Sequence, residues 1–339
     1  LCVAGTGRAK AVTGLSARAL PVSALPVVDV GDLESPEPAR RLGVAAAIRA
    51  ACLGDGFFYI ENHDVPAGLI EAAFDEARKF FALPDEAKDK VSNTLSFCER
   101  GHEPMGGQDL ERVGTPDLKE AFDMGVELAL DDPRVIARKV NHGPNQWPAG
   151  LPQFRPVMED YFRAAFDLAL RLMQSLALSL ELPEDHFAEF CAEAVGLLRL
   201  LHYPRQPVDP RPGEKGAGAH TDLGAITLLL QDEAAGLQIW DRRQGWVHAP
   251  PRPGAYIVNL GDLMARFTND RYRSTRHRVV NVSGRDRYSI PFFLDGNPDY
   301  LVSCLSNCLA PGERPHYAPV TVADHTRPAH HAVPLYGPT

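Results

Sequence analysis

The sequence predicts an α+β fold, with helices of the first half packed outside a jelly-roll barrel built by the second half. Two observations carry this. Apolar residues recur at helical spacing up to about Phe190, and after Gly196 short apolar runs alternate with turn residues. The chain has 339 residues without an internal repeat or low-complexity block, enough to bury a sizeable core.

In chain order, Leu25 to Val30 is a short β-prone run. Ala39 to Leu53 reads as an amphipathic helix closed by Gly54 and Gly56. Gly56 to Ile60 is aromatic and β-branched, hence a strand. Leu69 to Phe81 places Ile70, Phe74, Ala77 and Phe81 along one helical face. Pro84 opens a short helix through Val91, followed by a Gly-rich loop, Gly101 to Gly107, and a polar stretch, Asp117 to Gly125. A long helix spans Pro152 to Leu182, and a shorter one starts near Pro183 and passes Phe190. Seven short strands follow: Leu197 to Tyr203, Ala225 to Leu230, Gly236 to Trp240, Trp246 to Ala249, Tyr256 to Leu260, His277 to Val282 and Tyr288 to Leu294.

Residues 1–24 are expected to form a disordered leader, 25–300 a single domain with its barrel at about 197–297, and 301–339 a C-terminal extension. The first 28 residues hold no acid but include Arg8, Lys10 and Arg18, so an organelle transit peptide is the alternative for the leader. The net charge of −9 and pI near 5.7 argue against a nucleic-acid partner. No apolar run approaches the roughly 20 residues of a membrane span, because Arg171, Gln174 and Glu181 interrupt the longest one. The six cysteines lack any CxxC spacing, which suits a reducing, cytoplasmic compartment. Cys304 and Cys308 have no second ligand pair with which to share a metal.

The most informative segment runs from Gly218 to Leu230 and contains His220-Thr-Asp222. Read as a strand, it points His220 and Asp222 to one face and Thr221 to the other. A third imidazole, His277, follows Asp222 after 54 intervening residues, also at the start of an apolar run. Two imidazoles and one carboxylate on one face of an octahedron leave the opposite face open, the signature of non-haem iron(II) oxygenases. A bare His-x-Asp pair also occurs by chance, and the remaining histidines compete as third ligand.

Ten residues after His277, Arg287 and Ser289 fall on one face of a strand with Tyr288 on the other. A guanidinium offers paired planar donors and stays charged in any pocket, so it suits a carboxylate better than a lysine does. In this order, His-x-Asp, His and Arg-x-Ser resemble the isopenicillin N synthase-like superfamily of iron(II)/2-oxoglutarate dioxygenases. Leu25 to Asp29, Gly56 to His63, Asp117 to Phe122, Gly236 to Trp240 and Val258 to Asp262 resemble further segments of that family, so the likeness covers about Leu25 to Asn297.

The resemblance implies a double-stranded β-helix in which His220, Asp222 and His277 bind iron(II), and Arg287 and Ser289 bind the distal carboxylate of 2-oxoglutarate. It adds Tyr203 as a cosubstrate contact, with Leu201 where the family frequently has asparagine, and Asn259 as support for the metal shell. The implied enzyme is a dioxygenase that uses O2 and 2-oxoglutarate to oxidise an unactivated C–H bond of a small molecule, releasing succinate and carbon dioxide. Pocket residues are expected in the loop Arg100 to Gln108, with His102 where relatives often carry tyrosine, in Phe122 to Gly125, and at Phe293. Two alternatives remain at this point. One is an iron oxidase of the same fold that takes all electrons from its substrate, with Arg287 and Ser289 gripping a substrate carboxylate. The other is a metal- or ligand-binding barrel without turnover.

Overall fold

The computed structural model describes residues 25–111, 114–206, 213–281 and 283–327. The leader at 1–24, Val282 at the end of an expected strand, and the extension from 328 onward lie outside the described residues.

The first elements are β1 (Val27–Asp29), α1 (Pro38–Cys52), β2 (Phe57–Glu61) and α2 (Ala67–Phe81). All four lie within two residues of the bounds expected from sequence. Next come α3 (Asp85–Lys88), β3 (Gly101–Glu103), β4 (Glu120–Gly125), α4 (Pro133–Ile136), α5 (Phe154–Ser179) and α6 (Ala188–Cys191). The barrel consists of β5 (Val195–Tyr203), β6 (Ala217–His220), β7 (Ile226–Gln231), β8 (Leu237–Asp241), β9 (Gly245–His248), β10 (Tyr256–Leu260), β11 (His277–Val279) and β12 (Arg287–Gly296), with α7 (Asp262–Phe267) between β10 and β11. The chain then adds β13 (Leu301–Val302), β14 (Val320–Thr321) and α8 (Val322–Thr326).

An eight-stranded sheet runs β1-β2-β10-β7-β12-β5-β4-β3, and a four-stranded sheet runs β6-β11-β8-β9. Side chains alternate across the large sheet with period two. Phe58, Ile60, Leu198, Leu200, Leu228, Tyr256, Ile290 and Phe292 share one core with α1, α2 and α5. The other parity, including Phe57, Tyr59, Leu201, Tyr203 and Ile257, packs against Ala217, Leu237, Ile239, Val247 and Val279 of the small sheet. That second interface is the barrel interior. α5 stays helical and clamped to the sheet because Met158, Tyr161, Ala165, Leu168, Leu172 and Leu176 form a buried stripe at helical spacing. Its Tyr161 hydroxyl meets the Tyr256 hydroxyl at 3.1 Å. Among the described residues no helix is long and apolar enough to cross a membrane.

The Gly-rich loop and the polar stretch expected from sequence are in part strands. β3 and β4 pair with each other, and β4 pairs with β5, so they extend the large sheet at its edge. Their composition hides this, because β4 buries charges that are neutralised from elsewhere. Glu120 is bonded to Lys88, His102 and His202, and Asp123 takes both prongs of Arg199. Burial pushes the Glu120 carboxyl up, but those hydrogen bonds outweigh it and hold the group well below the usual range. Gly101 is required where β3 starts: its φ is +106°, and a Cβ there would run into the Val91 carbonyl oxygen.

Candidate active site

The small sheet brings two imidazoles together. β6 ends at His220, β11 begins at His277, and the two residues are direct antiparallel partners, with ring centroids 4.3 Å apart. Asp222 lies beyond the end of β6, which corrects the expectation that it shares a strand face with His220. A turn curls it back instead. The Asp262 and Gly261 N–H groups donate to the Asp222 and Ala225 carbonyls, and a Cβ on Gly261 would collide with the Gly224 carbonyl oxygen.

The three side chains leave one donor atom each facing a common point. His220 Nδ1 is 2.7 Å from the Gly218 carbonyl oxygen, and His277 Nδ1 is 3.1 Å from that of Thr275. A carbonyl can only accept, so each ring carries its proton on Nδ1 and turns the Nε2 lone pair inward. Asp222 accepts hydrogen bonds at Oδ2 from Thr227 Oγ1 (2.6 Å) and Asn259 Nδ2 (2.7 Å), which leaves Oδ1. Oδ1 is 3.8 Å from His220 Nε2 and 3.6 Å from His277 Nε2, too far for hydrogen bonds. The ligand atoms all lie within 4.8 Å of one another, and among the described residues this is the only cluster of His, Cys, Asp or Glu side chains placed to share a metal.

The electrostatics suit a cation. Burial, and then His277, push the His220 imidazole down to about 3, so it is neutral and able to ligate near neutral pH. Burial alone would raise the Asp222 carboxyl, but His277, His220, Asn259 and Thr227 together hold it below its usual value. A carboxylate and two imidazoles with Nε2 turned inward match the donor set of a divalent iron site.

A second cluster lies at the start of β12. Arg287 is fully buried and stands opposite Tyr203 of β5, with its guanidinium carbon 4.7 Å from the centre of the tyrosine ring. Its Nη1 donates to Ser289 Oγ at 3.2 Å and its Nη2 to Gln231 Oε1 at 2.8 Å, while Nε has no partner among the described residues. Among the described residues no carboxylate pairs with it. A buried cation without a counter-ion is costly, so the pocket is complementary to a small anion.

Of the remaining residues named from sequence, Asn259 holds the Asp222 carboxylate, and Phe293 is half-buried on the inner face as a cross-strand partner of Thr227. Phe122 and His102 are placed elsewhere. Phe122 is fully buried against Phe80 and Phe154 in the helix-side core, and His102 bonds Glu120 on the same side through Nε2 at 2.9 Å. Register decides this, because Phe122 pairs with Leu200, whose side chain also faces the helices. Thr227 and Gln231 were not singled out from sequence. Their signal is a polar side chain at inward parity in the otherwise apolar strand β7.

Comparison with known proteins agrees with this geometry. Residues 25–150 match the family described as non-haem dioxygenase in morphine synthesis N-terminal, and residues 194–296 match the 2OG-Fe(II) oxygenase superfamily. The 2-oxoglutarate-Fe(II) type oxidoreductase hxnY of Emericella nidulans is 44% identical over 313 residues, covering 91% of this chain and 90% of that protein. The 2-oxoglutarate-dependent dioxygenase citB of Monascus ruber is 42% identical over 285 residues, covering 81% and 86% respectively. A Neurospora crassa enzyme solved with alpha-KG and thymine superposes with a TM-score of 0.79 at 28% identity, over 90% of this chain and 96% of that one. With a jelly-roll of this topology, a His-x-Asp…His cluster and relatives of this identity along eight- to nine-tenths of its length, the chain belongs to the 2OG-Fe(II) oxygenase superfamily, of the isopenicillin N synthase-like kind, and is an iron(II)- and 2-oxoglutarate-dependent oxidoreductase.

Proposed function

We propose that His220, Asp222 and His277 are the iron ligands and that Arg287, Ser289 and Tyr203 hold the distal carboxylate of 2-oxoglutarate, with Gln231 fixing the guanidinium. The observation that carries this reading is the pairing of an inward-facing set of three donor atoms with a fully buried, uncompensated Arg287 on the same barrel interior. Residues 25–300 form the catalytic unit, and 301–339 are an extension to it.

Iron(II) held by these three side chains, with 2-oxoglutarate at Arg287, would supply the oxidising power: 2-oxoglutarate and O2 would give succinate and carbon dioxide as a C–H bond of a small molecule is oxidised. The protein's own work is positional. The Gly218 and Thr275 carbonyls lock both imidazole tautomers, and Thr227 and Asn259 hold the carboxylate so that a single oxygen faces the metal. Apolar neighbours such as Phe57, whose ring is set edge-on to His277 with the two ring centroids 5.4 Å apart, keep water from the imidazole flank. The thymine bound by the Neurospora crassa enzyme supports a small-molecule substrate.

Anaerobic addition of iron(II) and 2-oxoglutarate is expected to produce a weak visible charge-transfer band. Metal binding without that band would favour an iron oxidase that does not use 2-oxoglutarate, or a barrel without turnover. A second expected result isolates the support of Asp222. Thr227→Val removes the 2.6 Å hydrogen bond while keeping the shape, so iron affinity should fall by roughly 10-fold, as losses of such supporting contacts do. Cosubstrate affinity at saturating iron should barely change. Equal iron affinities in calorimetric titrations of the two proteins would show that Thr227 does not orient the ligand.

A further inference from the structure

A second buried arginine inside the barrel has no assigned partner. Arg100, just before β3, is only 1% exposed, and its Nε and Nη1 find no hydrogen-bond acceptor among the described residues. Among the described residues its side chain makes one hydrogen bond, from Nη2 to the Asn141 carbonyl at 2.7 Å. No carboxylate among the described residues reaches it as an ion pair, although Asp123 and Asp295, both of inward parity, and the neighbouring Glu99 lie close enough for their charge to act on it. The other interior cations differ. Arg199 is held by both oxygens of Asp123 at 2.6 and 2.7 Å, and Lys119 donates to Gln108 at 2.8 Å and Asp117 at 3.4 Å. Arg287 is already assigned to the cosubstrate.

The place of Arg100 relative to the candidate iron site follows from strand register. Gly125, Leu197, Phe293, Thr227 and Asn259 are successive cross-strand partners in one row over the inner face of the large sheet. At one end of the row Thr227 and Asn259 hold Asp222. At the other the Arg100 guanidinium lies flat over Gly125, where a Cβ would come within 2.5 Å of Cζ and closer still to Nη2. Three strand steps of about 4.8 Å separate Gly125 from Thr227, roughly 14 Å along the sheet. Between them Leu197 and Phe293 are only half-buried, whereas the alternate residues Leu198, Phe292 and Leu294 are sealed against the helices.

The arginine is held in place before any ligand arrives. Gln146 Nε2 donates to the Arg100 and Ser92 carbonyls at 2.6 and 2.8 Å, and the Arg100 N–H donates to Ser96 Oγ at 3.1 Å. Asn145 brackets Gly125 through its N–H and carbonyl at 2.8 and 2.9 Å. A fixed guanidinium with free N–H groups at the end of an apolar strip is built to receive a planar oxyanion.

We propose that Arg100 anchors a carboxylate of the substrate, so that a small carboxylic acid lies along Leu197 and Phe293 with the carbon to be oxidised toward the His220–Asp222–His277 cluster. This substrate class rests on the oxygenase reading above. The pocket is thus bipolar, with one arginine for the cosubstrate and another for the substrate. Gly125 is needed because any side chain there would displace the guanidinium.

The test uses benzoate and its neutral isostere benzamide as probes. Each is titrated calorimetrically into the full chain, anaerobically, with iron(II) and 2-oxoglutarate saturating so that Arg287 is occupied. Benzoate should bind at least about tenfold more tightly than benzamide, and Arg100→Gln should remove that preference while the visible iron–cosubstrate band persists. Arg100→Lys should restore part of it, and Gly125→Ala should lose it with the charge still present. Equal affinity for the two probes in the unaltered protein, or an unchanged preference in Arg100→Gln, would overturn the proposal. Should Arg100→Gln fail to fold, Arg100→Lys and Gly125→Ala decide the question on the same readout. If no iron–cosubstrate band forms at all, the oxygenase assignment of these residues fails instead. The Arg100 site is then judged in an Arg287→Ala background, where a benzoate preference still requires Arg100 if the anchor is real.

Discussion

His277→Ala is expected to abolish stable iron binding, to erase the visible band formed with 2-oxoglutarate, and to lower turnover by at least about a thousandfold. Three donor atoms share the candidate site, and none of the other described histidines, cysteines or acids stands near enough to replace a lost one. A catalytic metal contributes several kcal/mol to the reaction it supports, and each 1.36 kcal/mol is a factor of ten in rate. The substitution also frees the Asp222 Oδ1 side of the pocket, where His277 Nε2 now stands at 3.6 Å. His220→Ala should behave alike, because the two imidazoles are register partners on neighbouring strands and play equivalent parts. The measurements are iron stoichiometry after anaerobic reconstitution and 2-oxoglutarate-dependent oxygen uptake, with circular dichroism to confirm folding. A folded His277→Ala protein that kept full iron and full turnover would remove this residue from the ligand set.

Arg287→Ala should raise the apparent constant for 2-oxoglutarate by roughly 10- to 1,000-fold and leave iron affinity nearly unchanged. A charge-assisted contact of this kind is worth on the order of 1.5–3 kcal/mol, and leaving the opposite charge unpaired can cost about 2–5 kcal/mol. Each 1.4 kcal/mol is tenfold in affinity. The structure strengthens the expectation, since Arg287 is fully buried and has Ser289, Gln231 and the Tyr203 ring around it but, among the described residues, no carboxylate. Arg287→Lys should recover only part of the loss, because an ammonium cannot present paired planar donors to a carboxylate while also bonding Ser289 and Gln231. Titrating 2-oxoglutarate at saturating iron distinguishes the two variants. An unchanged constant in Arg287→Ala would take the cosubstrate role from this residue.

The chemistry of the candidate centre was legible in the chain because it depends on residue type and short spacing. A carboxylate two residues from an imidazole, a second imidazole at the head of a later apolar run, and an arginine and a serine of like parity all remain readable without a fold. The helical first half and stranded second half were equally open, since α1, α2 and α5 carry apolar stripes of helical period and β5, β7, β10 and β12 carry short apolar runs.

What only the tertiary structure decided is which way particular side chains face and what they meet. β3 and β4 lack the apolar signature of strands because Glu120 and Asp123 are compensated by Lys88, His202 and Arg199, residues up to 82 positions away. Phe122 and His102 turn to the helices, and Gly125 to the barrel interior, through the pairing of β4 with β5 and β3. A one-residue slip would exchange the faces, and local sequence does not specify that choice. Asp222 reaches its place by a turn packed on α7 rather than by strand alternation. Thr227, Gln231 and Arg100 meet Asp222, Arg287 and Gly125 only when β7 and the segment before β3 are brought against them. Residue types and local periodicity set the ligand chemistry. The direction each strand residue faces is a two-way choice that non-local hydrogen bonding makes, so the lining of the pocket emerges only with the folded barrel.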